Sequence, residues 1–175
     1  MWDDKSTFEG FWNNDKANGR GRMIYADGSI YEGNWVDGRQ YGYGAFASME
    51  GVRYQGNWID NLQHGKGEEE WPDRTKYVGE FKRGKKTGKG LFSWPDGSTY
   101  QGEVLDNKLH GYGTYTWAVE GRVYAGDWIR NWMHGQGNLE YADGRLYQGS
   151  FSKGRKHGSG SFEWPDNRRY RGNYH

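Results

Sequence analysis

The chain has 175 residues and a formal net charge of +1, so no global field attracts it to nucleic acid, and we expect no nucleic-acid partner. It contains no cysteine, which excludes disulfides and thiolate metal sites. Only 33% of the residues are hydrophobic, which alone would indicate disorder, but the 10 Trp, 14 Tyr and 7 Phe are too many and too regularly spaced for a solvated chain.

Targeting segments are not evident in the sequence. No run approaches the roughly 20 apolar residues that a helix needs to cross a bilayer. The N-terminus also lacks the charged and then apolar pattern of a signal peptide. We therefore expect a cytoplasmic protein.

The first element in the chain is a five-residue segment, Phe8–Trp12, with the pattern aromatic-x-Gly-x-aromatic. The pattern recurs seven times, and one copy ends in Val104 instead of a ring. The copies begin at residues 8, 31, 54, 77, 100, 124, 147 and 170, in steps of 23 residues with one of 24. A fixed period of this length is typical of a repeat array, so we predict a single array over residues 1–175.

A second marker, Gly-x-Gly, falls between successive copies of the first. Its copies begin at residues 19, 42, 65, 88, 111, 135 and 158. The two markers in phase closely resemble the MORN (membrane occupation and recognition nexus) repeat family, over essentially the whole chain. The resemblance implies a scaffold of the cytoskeleton, the cilium or a membrane junction, or an accessory segment of a larger enzyme.

The repeat that begins at Tyr77 illustrates the predicted secondary structure. Its first segment, Tyr77–Phe81, alternates in character with a period of two, which predicts a strand. We expect a loop over Lys82–Thr87, a second strand that opens at Gly88, and a tight turn at Pro95–Ser98. Each repeat is then a β-hairpin. The predicted fold is all-β, an elongated, twisted, single-layer antiparallel meander of about seven and a half hairpins.

The alternation also predicts one aromatic face, opposite a polar one. The rings and glycines of the first marker share this face with a ring or aliphatic residue of each second strand. We expect the glycines to leave gaps into which rings from adjacent strands lean. Besides Val104, three residues depart from the pattern. Glu69 occupies a slot that is otherwise aromatic or aliphatic, Ser48 replaces a ring, and Arg74 replaces the Gly or Asn of a turn.

No catalytic or metal-binding constellation is recognisable. Four histidines immediately precede Gly-x-Gly, but successive copies would lie roughly 10 Å apart, too far for shared coordination of one zinc ion. These residues are His64, His110, His134 and His157. The segment Gly79–Lys85 resembles the start of a P-loop, but Lys86 stands where Ser or Thr should be, and no helix follows. We therefore predict a non-enzymatic protein without cofactor or metal.

An uncovered aromatic sheet face is typical of a partner-binding site. We predict that a peptide or helix of a partner protein lies in a groove along this face. The predicted partner-binding residues are Trp58, Trp71, Phe92, Trp94, Tyr115 and Trp117.

A second hypothesis is a phosphoinositide-binding, membrane-associated adaptor, which the name of the family implies. A local basic cluster would attract anionic lipid headgroups, at about 1 kcal/mol per basic residue near the surface. The cluster consists of Lys82, Arg83, Lys85 and Lys86. A third hypothesis is that the chain is the repeat segment of a larger enzyme, such as a lipid kinase or a SET-domain methyltransferase.

The last copy of the first marker is a strand without its hairpin partner. Such a strand presents unpaired backbone groups that can template another strand. We therefore predict self-association, most simply as a homodimer, through Tyr170, Gly172 and Tyr174.

Overall fold

A computed structural model describes residues 5–175, which form 15 β-strands joined by turns. Within these residues no helix is long and apolar enough to span a bilayer. The strands are β1 Thr7–Asn13, β2 Lys16–Ile24, β3 Ile30–Val36, β4 Arg39–Ala47, β5 Arg53–Ile59, β6 Leu62–Glu70, β7 Lys76–Lys82, β8 Lys85–Ser93, β9 Thr99–Leu105, β10 Lys108–Trp117, β11 Arg122–Ile129, β12 Trp132–Glu140, β13 Leu146–Ser152, β14 Arg155–Glu163 and β15 Arg169–Tyr174.

Strands that follow one another in the sequence are neighbours in one antiparallel sheet, in the order β1 to β15. The predicted all-β meander of hairpins is therefore confirmed. The chain forms two compact units, of which the first ends at Lys86 and the second comprises Thr87–His175.

Two kinds of turn alternate along the chain. The predicted turn at Pro95–Ser98 is present, and the amide of Gly97 donates to the carbonyl of Trp94 at 3.0 Å. Arg74 keeps the geometry of the equivalent turn, with a strained φ of 70° and a hydrogen bond from its amide to the carbonyl of Trp71 at 2.8 Å.

The loop predicted over Lys82–Thr87 is wrong. The turn there consists of Arg83 and Gly84 alone, with φ of 50° and 78°, as a two-residue hairpin turn of type I′ requires. The second strand of this hairpin consequently begins at Lys85, three residues earlier than predicted.

The two glycines of each Gly-x-Gly marker have different physical roles. Gly111 has a φ of 58° and lies in a bulge between β9 and β10, where the register shifts. Gly113 instead pairs with Gly102 across the two strands, and a Cβ on either would overlap its surroundings. The first glycine thus supplies a backbone conformation, and the second supplies space.

The space over such a glycine pair is filled by the aromatic residue that opens the same hairpin, Phe8 in the first hairpin and a tyrosine in the others for which the contact is seen. The Tyr100 ring lies where a Cβ of Gly113 would be, and its hydroxyl donates to the carbonyl of Glu103 at 2.7 Å. Tyr100 belongs to β9, so its ring fills the gap over Gly113 from the adjacent strand, as expected. Over Gly102 the ring comes instead from two residues earlier on the same strand, because it can fold back flat over two residues that lack side chains.

These tyrosines form the core of each unit together with the aromatic that ends the first marker. Tyr31 packs edge to face on Trp35 and Trp58, with both pairs of centroids 5.2 Å apart. In the second unit, Tyr124 packs in the same way on Trp128 at 5.2 Å and Phe151 at 5.0 Å. Each of these two tyrosines thus contacts one ring of its own repeat and one of the next, which couples neighbouring hairpins.

Stability should fall at alkaline pH because of this core. Burial raises the pKa of Tyr77 from its ordinary 10.0 to about 12, and burial also raises the pKa of Tyr31, Tyr54, Tyr100 and Tyr124. Since the folded-state pKa lies above the unfolded one, the neutral phenol stabilises the fold fully below about pH 10, and this contribution is lost as pH rises from 10 through 12.

Thermal unfolding midpoints across this pH range, with tyrosinate absorbance followed in parallel, would measure the loss. Tyr77→Phe cannot ionise, so its stability should decline less steeply with pH than that of the wild type. A midpoint that is the same at neutral pH and at pH 12 would contradict the prediction.

Candidate functional site

In the second unit, four of the predicted partner-binding rings form one continuous stack. The rings of Phe92 and Trp94 are nearly parallel, with centroids 5.7 Å apart, and Trp94 stacks on Tyr115 at 5.0 Å. Tyr115 in turn lies 4.3 Å from Trp117. All four rings are only half-buried, so one side of the stack faces outward.

The turn between β8 and β9 holds this stack in register with the next hairpin. Ser98 is buried, its amide donates to the carboxylate of Asp96 at 2.8 Å, and its hydroxyl oxygen accepts from the amide of Ala118 at 3.2 Å. These bonds fix the turn after Trp94 beside the end of β10, where Trp117 lies. The guanidinium of Arg122 closes the end of the stack, 4.4 Å above the Trp117 ring.

In the first unit, Trp58 belongs to the core rather than to an exposed stack. It is 6% exposed, and its indole donates to the carbonyl of Gly44 at 3.2 Å. Its remaining surface lines a cavity of about 610 Å³ on the aromatic face, together with Met23, Tyr25 and Phe46. Trp58 can therefore contribute the floor of a groove but not its accessible rim.

Trp71, also in the first unit, carries a lysine on its ring. The ammonium of Lys86 lies 4.6 Å from the Trp71 centroid and 5.4 Å from that of Phe81. The same ammonium forms an ion pair with Glu69, and both side chains are only 12% exposed. Glu69 thus departs from the repeat pattern because Lys86, also on the aromatic face, supplies its counter-ion.

The predicted lipid-binding cluster is not one surface. Lys82, Arg83 and Lys85 are exposed, whereas Lys86 points inward to the rings and to Glu69. The prediction placed all four in a loop, but Lys85 and Lys86 are successive residues of β8, and successive side chains in a strand point to opposite faces.

Sequence reasoning therefore missed one inward-facing position in every hairpin. It lies nine residues after the aromatic that opens the repeat and is the second residue after the two-residue turn. The turn pairs, such as Asp37–Gly38 and Asp60–Asn61, were the signal that could have located it, because such pairs favour positive φ. The residues at this position are Ala17, Gln40, Gln63, Lys86, Leu109, Met133 and Lys156.

The predicted self-association residues lie on β15, which pairs with β14. Tyr174 packs on Tyr147 with centroids 5.0 Å apart, and Tyr170 lies 5.6 Å from Tyr174. The ring of Tyr170 covers Gly172, as in the other repeats. Self-association through this strand stays a prediction. Over the described part of the chain, no group of three or more His, Asp or Glu could hold one metal ion.

Comparison with known proteins gives a family and a fold. The MORN repeat model matches residues 8–30, 31–48, 54–76, 77–99, 100–122, 124–144 and 147–167. No curated protein shows significant similarity to the chain.

Three similar solved structures are 12% identical to the chain. The Drosophila melanogaster SAS-4 (dCPAP) TCP domain, in complex with a proline-rich motif of Ana2 (dSTIL), has a TM-score of 0.56 and covers 95% of this chain and 90% of its own. The TCP10c domain of Drosophila melanogaster Sas-4 has a TM-score of 0.51, covering 96% and 100%. The G-box domain of the microcephaly protein CPAP has a TM-score of 0.50, covering 97% and 99%. At this identity the likeness shows the fold alone.

Proposed function

The chain belongs to the MORN repeat family, and we propose on this premise that it is a non-enzymatic scaffold whose aromatic sheet face binds a segment of a partner protein. The array of repeats would act as one binding domain. Its accessible contact surface is the ring stack of Phe92, Trp94, Tyr115 and Trp117, while Trp58 and Trp71 support the corresponding face of the first unit.

The observation that carries this proposal is the half-exposed state of the stack. Each of the four side chains is half-buried, so part of each ring remains accessible to a partner. Tyrosine and tryptophan offer large, stiff contact areas, and such rings dominate the binding energy of protein interfaces. The packing of the stack also preorganises it, so little side-chain entropy is lost when a partner binds.

The structural neighbours support the same class of function. One of them, the SAS-4 TCP domain, was solved with a proline-rich motif of another protein. An extended, proline-containing segment would suit a surface of stacked rings, since aromatic grooves are the usual receptors for such segments. A suggested role in centriole elongation for the CPAP G-box domain is consistent with a cytoskeletal setting, which we also propose for this chain.

Selection of a displayed library of proteome-derived peptides on the full chain would test the proposal. We expect enriched peptides to lose about thirtyfold or more in affinity on Trp94→Ala and Trp117→Ala, because each change removes a central ring worth roughly 2 kcal/mol. Titration with fluorescent peptide would measure the change in Kd.

The control is Tyr112→Ala, which removes a ring of similar size from the opposite face of β10, where Tyr112 is 57% exposed. It should leave the Kd unchanged. Each variant must first show the near-ultraviolet circular dichroism of the wild type. Failure to enrich any peptide, or equal affinity of folded Trp94→Ala and wild type, would reject the proposed face.

A further inference from the structure

Lys156 lies among three aromatic rings on the aromatic face of the second unit. Its ammonium is 4.4 Å from the centroid of Phe162, 4.9 Å from that of Tyr147 and 5.3 Å from that of Tyr141. Tyr147 and Phe162 are buried, whereas Lys156 and Tyr141 are half-exposed. One side of the cation thus contacts rings, and the other is open to a ligand.

In the first unit, the residue at the equivalent position of its repeat is also a lysine, Lys86, and a carboxylate neutralises it. Lys86, like Lys156, lies over the ring of the tyrosine nine residues earlier, in its case Tyr77 at 5.5 Å. The residue that pairs with Tyr77 on the preceding strand is Glu69, and its carboxylate neutralises Lys86. The fold therefore accommodates a carboxylate beside a lysine in this setting.

The second unit lacks that carboxylate. The residue paired with Tyr147 on the preceding strand is Leu139, which is buried. Lys156 forms no ion pair with any residue in the range 5–175. The acids in the turns that follow Tyr141 and Trp164, Asp143 and Asp166, are paired with Arg145 and Arg168.

We infer that Lys156 binds a carboxylate of the partner segment, which occupies beside it the role that Glu69 has beside Lys86. Aromatic faces attract an ammonium group but do not supply the oxygen acceptors that its three N–H donors favour. A carboxylate in this partly desolvated position would make charge-assisted hydrogen bonds, which are stronger than neutral ones. The source is an Asp or Glu side chain or the C-terminal carboxylate of a peptide.

This inference rests on the proposed function and names the chemistry that its partner must carry. It predicts that peptides enriched on the full chain share an acidic residue, or a free C-terminus, at one fixed position. Replacing that Glu by Gln, or that Asp by Asn, should weaken binding to the wild type by about tenfold, as expected for the loss of a hydrogen-bonded charge pair. Amidation of the peptide should do the same if the C-terminus is the anchor.

The same peptide pair measured on Lys156→Met should show no such difference, because methionine keeps the apolar length of the side chain but not its charge. Arg155→Met is the matched control, since Arg155 precedes Lys156 on β14 and is exposed on the opposite face. It should retain the full tenfold effect. If Lys156→Met does not fold, Lys156→Gln replaces it. The difference in affinity of the wild type for the acidic peptide and its neutral counterpart still measures the effect of the peptide carboxylate.

The outcomes separate the two proposals. Enriched peptides without a shared carboxylate, or an equal effect of peptide neutralisation on Lys156→Met and wild type, would overturn the carboxylate site and leave the binding face intact. Enrichment of no peptide at all would overturn the proposed function, and the carboxylate site with it.

Discussion

Replacing Tyr100 with Ala is expected to lower the free energy of unfolding of the second unit by about 3–5 kcal/mol, as for other large buried aromatics. The Tyr100 side chain is fully buried, and its ring fills the space over Gly102 and Gly113. It also packs edge to face on Trp128 of the following repeat, with centroids 5.5 Å apart. Alanine would leave a cavity against two residues that have no side chain with which to close it.

Two control variants isolate the contribution of the buried ring. One removes the hydroxyl and keeps the ring, and the other removes a ring from an exposed position. Tyr100→Phe removes only the hydroxyl, which donates to the carbonyl of Glu103 at 2.7 Å and to that of His110 at 3.4 Å, and should cost about 1 kcal/mol. Tyr112→Ala, at an exposed position, should change stability by roughly 0.5 kcal/mol or less. Urea unfolding followed by tryptophan fluorescence would rank the three variants, and equal midpoints for Tyr100→Ala and Tyr112→Ala would contradict the structure.

Replacing Glu69 with Ala should lower the free energy of unfolding of the first unit by about 3–5 kcal/mol, because it removes one partner of a largely buried ion pair. The Lys86 ammonium would then remain among Trp71, Tyr77 and Phe81 without this counter-ion. The attraction of the rings offsets only part of that cost, since a cation–π contact is worth up to roughly 2 kcal/mol.

The double variant Glu69→Phe with Lys86→Met tests the cause. It introduces the residues that the repeat has at Phe92 and Met133, so we expect stability equal to or above that of the wild type. The adjacent control is Glu68→Ala, which breaks an exposed pair with Lys76 and should have little effect. Chemical unfolding of the four proteins would decide, and a Glu69→Ala protein as stable as the Glu68→Ala protein would exclude a structural role for the buried pair.

The fold was predictable because its determinants are local and repeated. Large and polar residues alternate wherever a short strand has one buried face, and this alternation predicts the strands. Asp-Gly and Asp-Asn pairs indicate the turns. The single 24-residue step between repeats comes from one extra residue between Trp117 and Tyr124. It lengthens a turn, and the pairing of Tyr115 with Tyr124 preserves the alternation of faces.

The candidate site was predictable only in part. A period of two places four rings on one face: Phe92, Trp94, Tyr115 and Trp117. Their stacking and the burial of Trp58 depend instead on contacts with rings of the neighbouring repeat. A sequence pattern places residues on a face without stating which other ring covers each of them.

By itself, the sequence determined the repeat, the hairpins and the composition of the two faces, because period and turn chemistry are properties of neighbouring residues. Only the tertiary structure decided which side chains meet across strands. Because β8 begins three residues earlier than predicted, Lys86 is the largely buried ion-pair partner of Glu69 and not a surface charge. The reason is that side chains alternate with each residue, so a small error in a strand boundary leaves the fold unchanged but reverses the assignment of a charge.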